Sequence, residues 1–101
     1  MADRVTWVGS VKGTGSAMDI KKLGFRPRIV KVFNAASGGL CSLEWNAAMP
    51  DASGFKSMPH DTAQHAFLTT NGITPLAGGF TLGADGDINV SGEVVYIEAC
   101  D

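Results

Sequence analysis

Residues Cys41-Ser42-Leu43-Glu44-Trp45-Asn46 alternate apolar and polar without a break, and nowhere does the chain sustain a helical stripe for ten residues. A period of two puts Cys41, Leu43 and Trp45 on one face of a strand and Ser42, Glu44 and Asn46 on the other. The same rule runs through residues 4–12, where Val5, Trp7 and Val11 share one face, Arg4, Thr6, Ser10 and Lys12 share the other, and Val8 is the exception. Both segments read as half-buried antiparallel strands. Glycine, 13 of 101 residues, punctuates the chain at short intervals and leaves little room for helices.

Further strands are predicted at residues 16–20, 29–33, 65–70, 79–82, 87–90 and 92–99, the last with Val95, Ile97 and Ala99 on one face. Pro27 marks where the third strand begins, because proline cannot donate to a ladder from its interior. Seven or eight short strands at roughly ten-residue spacing predict an all-β fold, an antiparallel β-sandwich or jelly-roll-like domain spanning residues 1–101. Residues 47–64 form the longest stretch without a clear strand, and long loops in compact domains tend to carry contacts. Residues 29–33 are apolar on both faces apart from Lys31, which fits a central strand or one covered by another subunit. The interface candidates are therefore Ile29, Val30, Val32 and Phe33, joined by Met49, Met58 and His60 from the long loop.

Composition narrows the function classes. With 45% hydrophobic and 18% charged residues the chain is globular, and a net charge of −2 offers no footprint for a nucleic-acid backbone. The basic cluster Lys21, Lys22, Arg26, Arg28 and Lys31 reads as a solvated edge or a subunit contact. No apolar run approaches the ~18 residues of a membrane span, so neither a nucleic-acid nor a membrane partner is expected. The start Met-Ala-Asp-Arg-Val-Thr-Trp lacks a signal-peptide core, which sets the expectation of a chain made and kept in a cytoplasm. Two cysteines, Cys41 and Cys100, are too few for a metal cage or a disulfide scaffold. They are expected to be thiols, available for intramolecular or intermolecular linkage only in an oxidising setting.

Residues 9–16 resemble a phosphate loop only superficially, since the Gly-Lys-Ser/Thr ending is missing. His60, Asp61 and His65 lack helical spacing and a further ligand for a metal. Cys41 next to a histidine would make a nucleophile pair, but its side chain faces the core, and no serine sits in a Gly-x-Ser-x-Gly elbow. The stretch Asp85-Gly86-Asp87-Ile88-Asn89 matches positions 1, 3 and 5 of a calcium loop, yet Val90 stands where glycine is required and Tyr96 where the bidentate Glu is required. Alternation instead predicts a strand with Ile88 and Val90 on one face and Asp87, Asn89 and Ser91 on the other. No enzyme activity, cofactor or metal is expected.

Four segments share their order and spacing with a known family. They are Leu23-Gly24-Phe25-x-Pro27-x-x-Val30-x-Val32-x-Asn34, Leu43-Glu44-Trp45-Asn46-x-x-Met49-Pro50-Asp51-Ala52-Ser53-Gly54, Thr70-Asn71-Gly72-Ile73-Thr74-Pro75, and Gly79-Phe80-Thr81-Leu82-Gly83-Ala84-Asp85-x-Asp87-x-Asn89-Val90-Ser91-Gly92-Glu93. Together they resemble a family of small virion structural proteins of tailed bacteriophages and prophages. The resemblance implies a capsid decoration or cement protein, made in the host bacterial cytoplasm and carried on the virion, with the major capsid protein or another virion protein as partner. It also implies a homo-oligomer, a trimer at capsid symmetry axes. The alternative is a tail- or fibre-associated module binding a host-surface carbohydrate, with Trp45 or Tyr96 as the aromatic platform.

Overall fold

A computed structural model of the chain describes residues 5–36, 41–59 and 64–101. Among these, eight strands follow one another: β1 (Thr6–Lys12), β2 (Met18–Ile20), β3 (Ile29–Asn34), β4 (Cys41–Asn46), β5 (Ser53–Ser57), β6 (His65–Leu76), β7 (Gly79–Leu82) and β8 (Val94–Cys100). The all-β antiparallel expectation holds. All eight strands belong to one hydrogen-bonded sheet in the order β1-β8-β3-β4-β5-β6-β7-β2. The sheet curls, because its two edges, β1 and β2, are consecutive strands separated only by residues 13–17.

The turn of the sheet sits in β6. Ser53 pairs with Ile73 while the next residue, Gly54, pairs with Leu68, so residues 69–72 bulge out of the ladder. Asn71 takes a positive φ of 61° there, and a Cβ at Gly72 would lie 2.0 Å from the Ser53 carbonyl oxygen. Bulges of this kind bend the strand and raise its twist. The first half of β6 pairs with β5, and Ile73–Leu76 pairs with β7.

The inward positions follow the sequence alternation closely. Cys41, Leu43 and Trp45 of β4, and Val95, Ile97 and Ala99 of β8, are buried. In β1, Trp7 and Val11 pack against the core, while Val8 is 70% exposed and Val5 also faces solvent at the start of the segment. In β3 the register decides what the sequence left open. Val30 pairs with Trp45 and Ala99, and Val32 with Leu43 and Ile97, so both lie in the core, whereas Phe33 and Lys31 face out. Val30 and Val32 are thus corrected from interface to core. Met58 is buried too and leaves the interface set, Met49 is half-buried, and His60 lies outside the described residues.

Two other expectations are corrected. The segment expected as a long contact loop contains β5, and the strand expected at residues 87–90 is instead a single helical turn. In that turn Asn89 N–H donates to the Asp85 carbonyl at 3.0 Å. Asp85 Oδ1 accepts from the N–H groups of Asp87 (3.0 Å) and Ile88 (3.3 Å), the capping geometry of an Asp at the start of a turn.

Two crossing segments lie at opposite ends of the curled sheet. At one end residues 83–93 cross with Ile88 fully buried among the strands. At the other, residues 21–28 cross with Leu23 and Pro27 buried. Backbone bonds from Leu23 and Gly24 to the Gly78 carbonyl, from Arg28 to that of Cys100, and from Ala47 to that of Arg28 hold this crossing in place.

Candidate interaction surface

Where the chain folds back over its own charged residues, the carboxylates of the suspected calcium loop find a cation in the chain itself. Lys56, inward on β5 with a side chain 7% exposed, places Nζ 2.9 Å from Asp85 Oδ1, 3.0 Å from Asp85 Oδ2 and 2.6 Å from Asp87 Oδ2. Burial opposes the lysine charge, but the hydrogen bonds and charges of Asp87 and Asp85 outweigh it and hold its pKa above the ordinary lysine value. Asn89, the third candidate ligand of the suspected loop, points elsewhere. Its Oδ1 accepts from Thr14 N (2.8 Å) and Gly15 N (3.4 Å), and its Nδ2 donates to the carbonyls of Ser16 (2.7 Å) and Gly83 (3.0 Å). Asn34 at the end of β3 donates to the carbonyls of Asp87 and Ile88 and to Glu93 Oε1 at 3.0 Å. The cluster is a set of hydrogen-bonded polar groups, buried apart from Asp87 and the half-buried Glu93, that ties residues 83–93 to β3, to β5 and to the link between the sheet edges. Among the described residues no group of three or more His, Cys, Asp or Glu converges as metal ligands.

The sheet separates Cys41 from His65, and a pairing of Cys41 with His60 lies outside the described residues. Cys41 points into the core from β4. His65 lies on the outer face with its ring stacked on Phe55, centroids 5.3 Å apart. Cys41 and Cys100 are both thiols, at opposite ends of β3: Cys41 pairs with Asn34 and Cys100 with Ile29. Five residues of strand separate those positions by ~16 Å, beyond disulfide reach. Trp45 is buried with Nε1 donating to the Pro50 carbonyl at 3.1 Å, so it offers no stacking platform.

What the fold does present is the outer face of the sheet. Register places Ser10, Tyr96, Phe33, Ser42, Ser57 and His65 in one row across β1, β8, β3, β4, β5 and β6. The adjacent row reads Val8, Glu98, Lys31, Glu44, Phe55 and Phe67. Tyr96 is 53% and Phe67 52% exposed, with Phe33 and Phe55 also in solvent. Two aromatic pairs, Tyr96 with Phe33 and Phe55 with Phe67, therefore flank a charged strip of Glu98, Lys31 and Glu44. Shallow grooves of about 300 and 330 Å³ run along this strip and share Lys31 and Glu44 as walls. Of the interface candidates, Phe33 and Ile29 border this surface. Tyr96 is one of the two aromatics that the sequence offers as a platform, whereas Phe55 and Phe67 carry no such signal, because their strand partners cannot be read from the sequence.

The basic cluster divides between two places. Lys21, Lys22, Arg26 and Arg28 are exposed on the crossing at residues 21–28, while Lys31 belongs to the outer sheet face. Arg26 is held by a bond to the Pro75 carbonyl at 3.4 Å. Compared with protein families, characterised proteins and solved structures, the chain matches none.

Proposed function

We propose that this protein is a structural component of a tailed-phage virion, a capsid decoration protein that docks on the outer capsid and bridges neighbouring subunits. The observation that carries the reading is the outer sheet face, where four exposed aromatic side chains and a strip of alternating charge sit beside shallow grooves. Large exposed apolar surface rimmed by polar groups marks protein contact, and aromatic residues dominate the energy of such contacts. The order and spacing of the four segments that resemble phage virion proteins support the same role. A protein that binds the assembled lattice and not its separated subunits lowers the free energy of the lattice alone and so opposes its rupture.

The test is stoichiometric binding to undecorated capsids, followed by co-sedimentation, with the double variant Phe33→Ser/Tyr96→Ser as the probe. Saturable binding by the natural chain and its loss in the variant is the expected result. No binding to capsids at any protein concentration would end the reading. A second reading rests on Tyr96, exposed beside a groove walled by Lys31, Glu44 and Glu98, since an aromatic ring flanked by carboxylates suits sugar stacking and hydrogen bonding. A glycan array with saturable binding abolished by Tyr96→Ala would favour that role on a tail or fibre.

A further inference from the structure

The two edges of the sheet are unequal. β2 is three residues long, while β1 runs for seven and, among the described residues, has β8 as its only strand neighbour. The bonds Gly13 N–H to the Glu93 carbonyl and Asp101 N–H to the Val5 carbonyl set the phase of the β1–β8 ladder. Residues 5, 7, 9, 11 and 13 face β8, so the backbone groups of Thr6, Val8, Ser10 and Lys12 point away from the sheet. All four residues are exposed. Natural edges are usually guarded by proline, a bulge, an inward charge or covering chain. β1 holds no proline, pairs with β8 without a register shift, and carries its one charge on its last residue.

We propose that β1 is a strand-addition edge whose partner is β1 of a second copy of this chain, paired antiparallel about a twofold axis at Gly9. The sequence Thr6-Trp7-Val8-Gly9-Ser10-Val11-Lys12 is self-complementary in that register. Thr6 faces the partner's Lys12, Val8 the partner's Ser10, and Gly9 the partner's Gly9, so no like charges meet. The outward-pointing residues pair with one another, which gives about eight interchain hydrogen bonds, two for each of the four bonded pairs. On the inner face, the half-buried Trp7 comes opposite the partner's Val11, and apolar surface that a lone sheet edge leaves wet is covered.

Gly9 has a place in this seam. A Cβ there would lie 2.4 Å from Cη2 of Trp7, so the indole lies over the glycine. In the pair, two glycines meet at the axis and leave room for both indoles. The symmetry is closed: each β1 is consumed by one partner, and the remaining three-residue edge is too short to propagate a filament. This association is independent of the capsid reading and differs from the threefold assembly that the family resemblance implies.

The experiment is sedimentation equilibrium with native mass measurement on the full chain, from micromolar to near-millimolar concentration, alongside amide hydrogen exchange. The natural chain is expected at twice its 10.5 kDa mass, with the Val8 and Ser10 amides protected. Ser10→Pro removes an outward N–H without touching the β8 ladder and is expected to restore the 10.5 kDa species and expose the Val8 amide. Val8→Lys, a charge on the edge, is expected to do the same, and it decides the matter if Ser10→Pro loses its sheet signal. Tyr96→Ala on the outer face is expected to leave the dimer intact. A monomer at every concentration, a trimer, a dimer that survives Val8→Lys, or one abolished by Tyr96→Ala would each overturn the proposal.

Discussion

Lys56 shows how one residue changes the meaning of a distant stretch. Its ammonium sits between Asp85 and Asp87, so the spacing that suggested a calcium loop belongs to an internal ion cluster. Removing the cation leaves Asp85 buried without its counter-charge, although two backbone N–H groups still serve its Oδ1. Lys56→Met is therefore expected to cost about 3 kcal/mol, the low end for breaking a buried pair, whereas Asp87→Asn on the exposed side is expected to cost under about 1 kcal/mol. Urea unfolding near neutral pH measures both. The sign of the pH effect follows from the raised lysine pKa. The stabilisation is complete below the unfolded value of about 10.4 and is lost as pH climbs through the higher folded value. Natural protein should then lose stability in the alkaline range by more than Lys56→Met does. Equal losses in the two would show that the cluster contributes nothing there.

At the scale of elements, close backbone approaches hold the curl. A Cβ at Gly79 would lie 1.7 Å from the Ile20 carbonyl oxygen, where β7 meets the end of β2. Backbone atoms cannot yield as a flexible side chain can, so Gly79→Ala is expected to cost at least about 2 kcal/mol by forcing the strands apart. Gly86→Ala, with nothing within 4 Å of the added carbon, is expected to change stability by less than about 0.5 kcal/mol. Thermal melts of the two variants against the natural chain check the contrast, and faster amide exchange confined to β2 and β7 would locate the damage in Gly79→Ala. β5 explains its own invisibility in the sequence. In Ser53-Gly54-Phe55-Lys56-Ser57 the inward positions are Ser53, Gly54 and Lys56 while Phe55 faces out. The polarity pattern is inverted because Lys56 is drawn inward by Asp85 and Asp87, so a period-two reading by hydrophobicity passes over the strand.

At the scale of the molecule, one face of the sheet is core and the other exposes Phe33, Phe55, Phe67 and Tyr96. Phe33 and Tyr96 lie on the outer face, so exchanging both for serine is expected to alter stability by less than about 1 kcal/mol while abolishing the capsid docking proposed above. Chemical denaturation run beside the binding assay separates the two effects, and a variant that fails to fold would place these rings in the core after all. The thiols give a second whole-molecule expectation. Cys41 is buried inside and Cys100 is at the far end of β3 on the other face, so mild oxidation is expected to leave the melting temperature of the monomeric chain unchanged. An intramolecular disulfide found by mass measurement would contradict the register.

The strands β1, β2, β3, β4, β7 and β8, the first half of β6, and the inward sets Cys41-Leu43-Trp45 and Val95-Ile97-Ala99, could be read from the chain because extended structure and burial at a period of two are local properties. The all-β class followed from the same property. Which side of β3 is covered could not be read, since Ile29, Val30, Val32 and Phe33 are all apolar and only the register with β4 and β8 separates Val30 and Val32 from Phe33. The polar cluster was equally hidden, because its members find partners across long separations: 29 residues from Lys56 to Asp85 and 75 from Thr14 to Asn89. The helical turn at Asp85 overrode a plausible alternation through capping bonds, and Asn89 went inside because four backbone groups awaited it there. Sequence determined where the chain is extended and which side chains seek cover, and tertiary structure decided which polar groups are buried and which aromatics remain exposed, because both depend on pairings that no local pattern encodes.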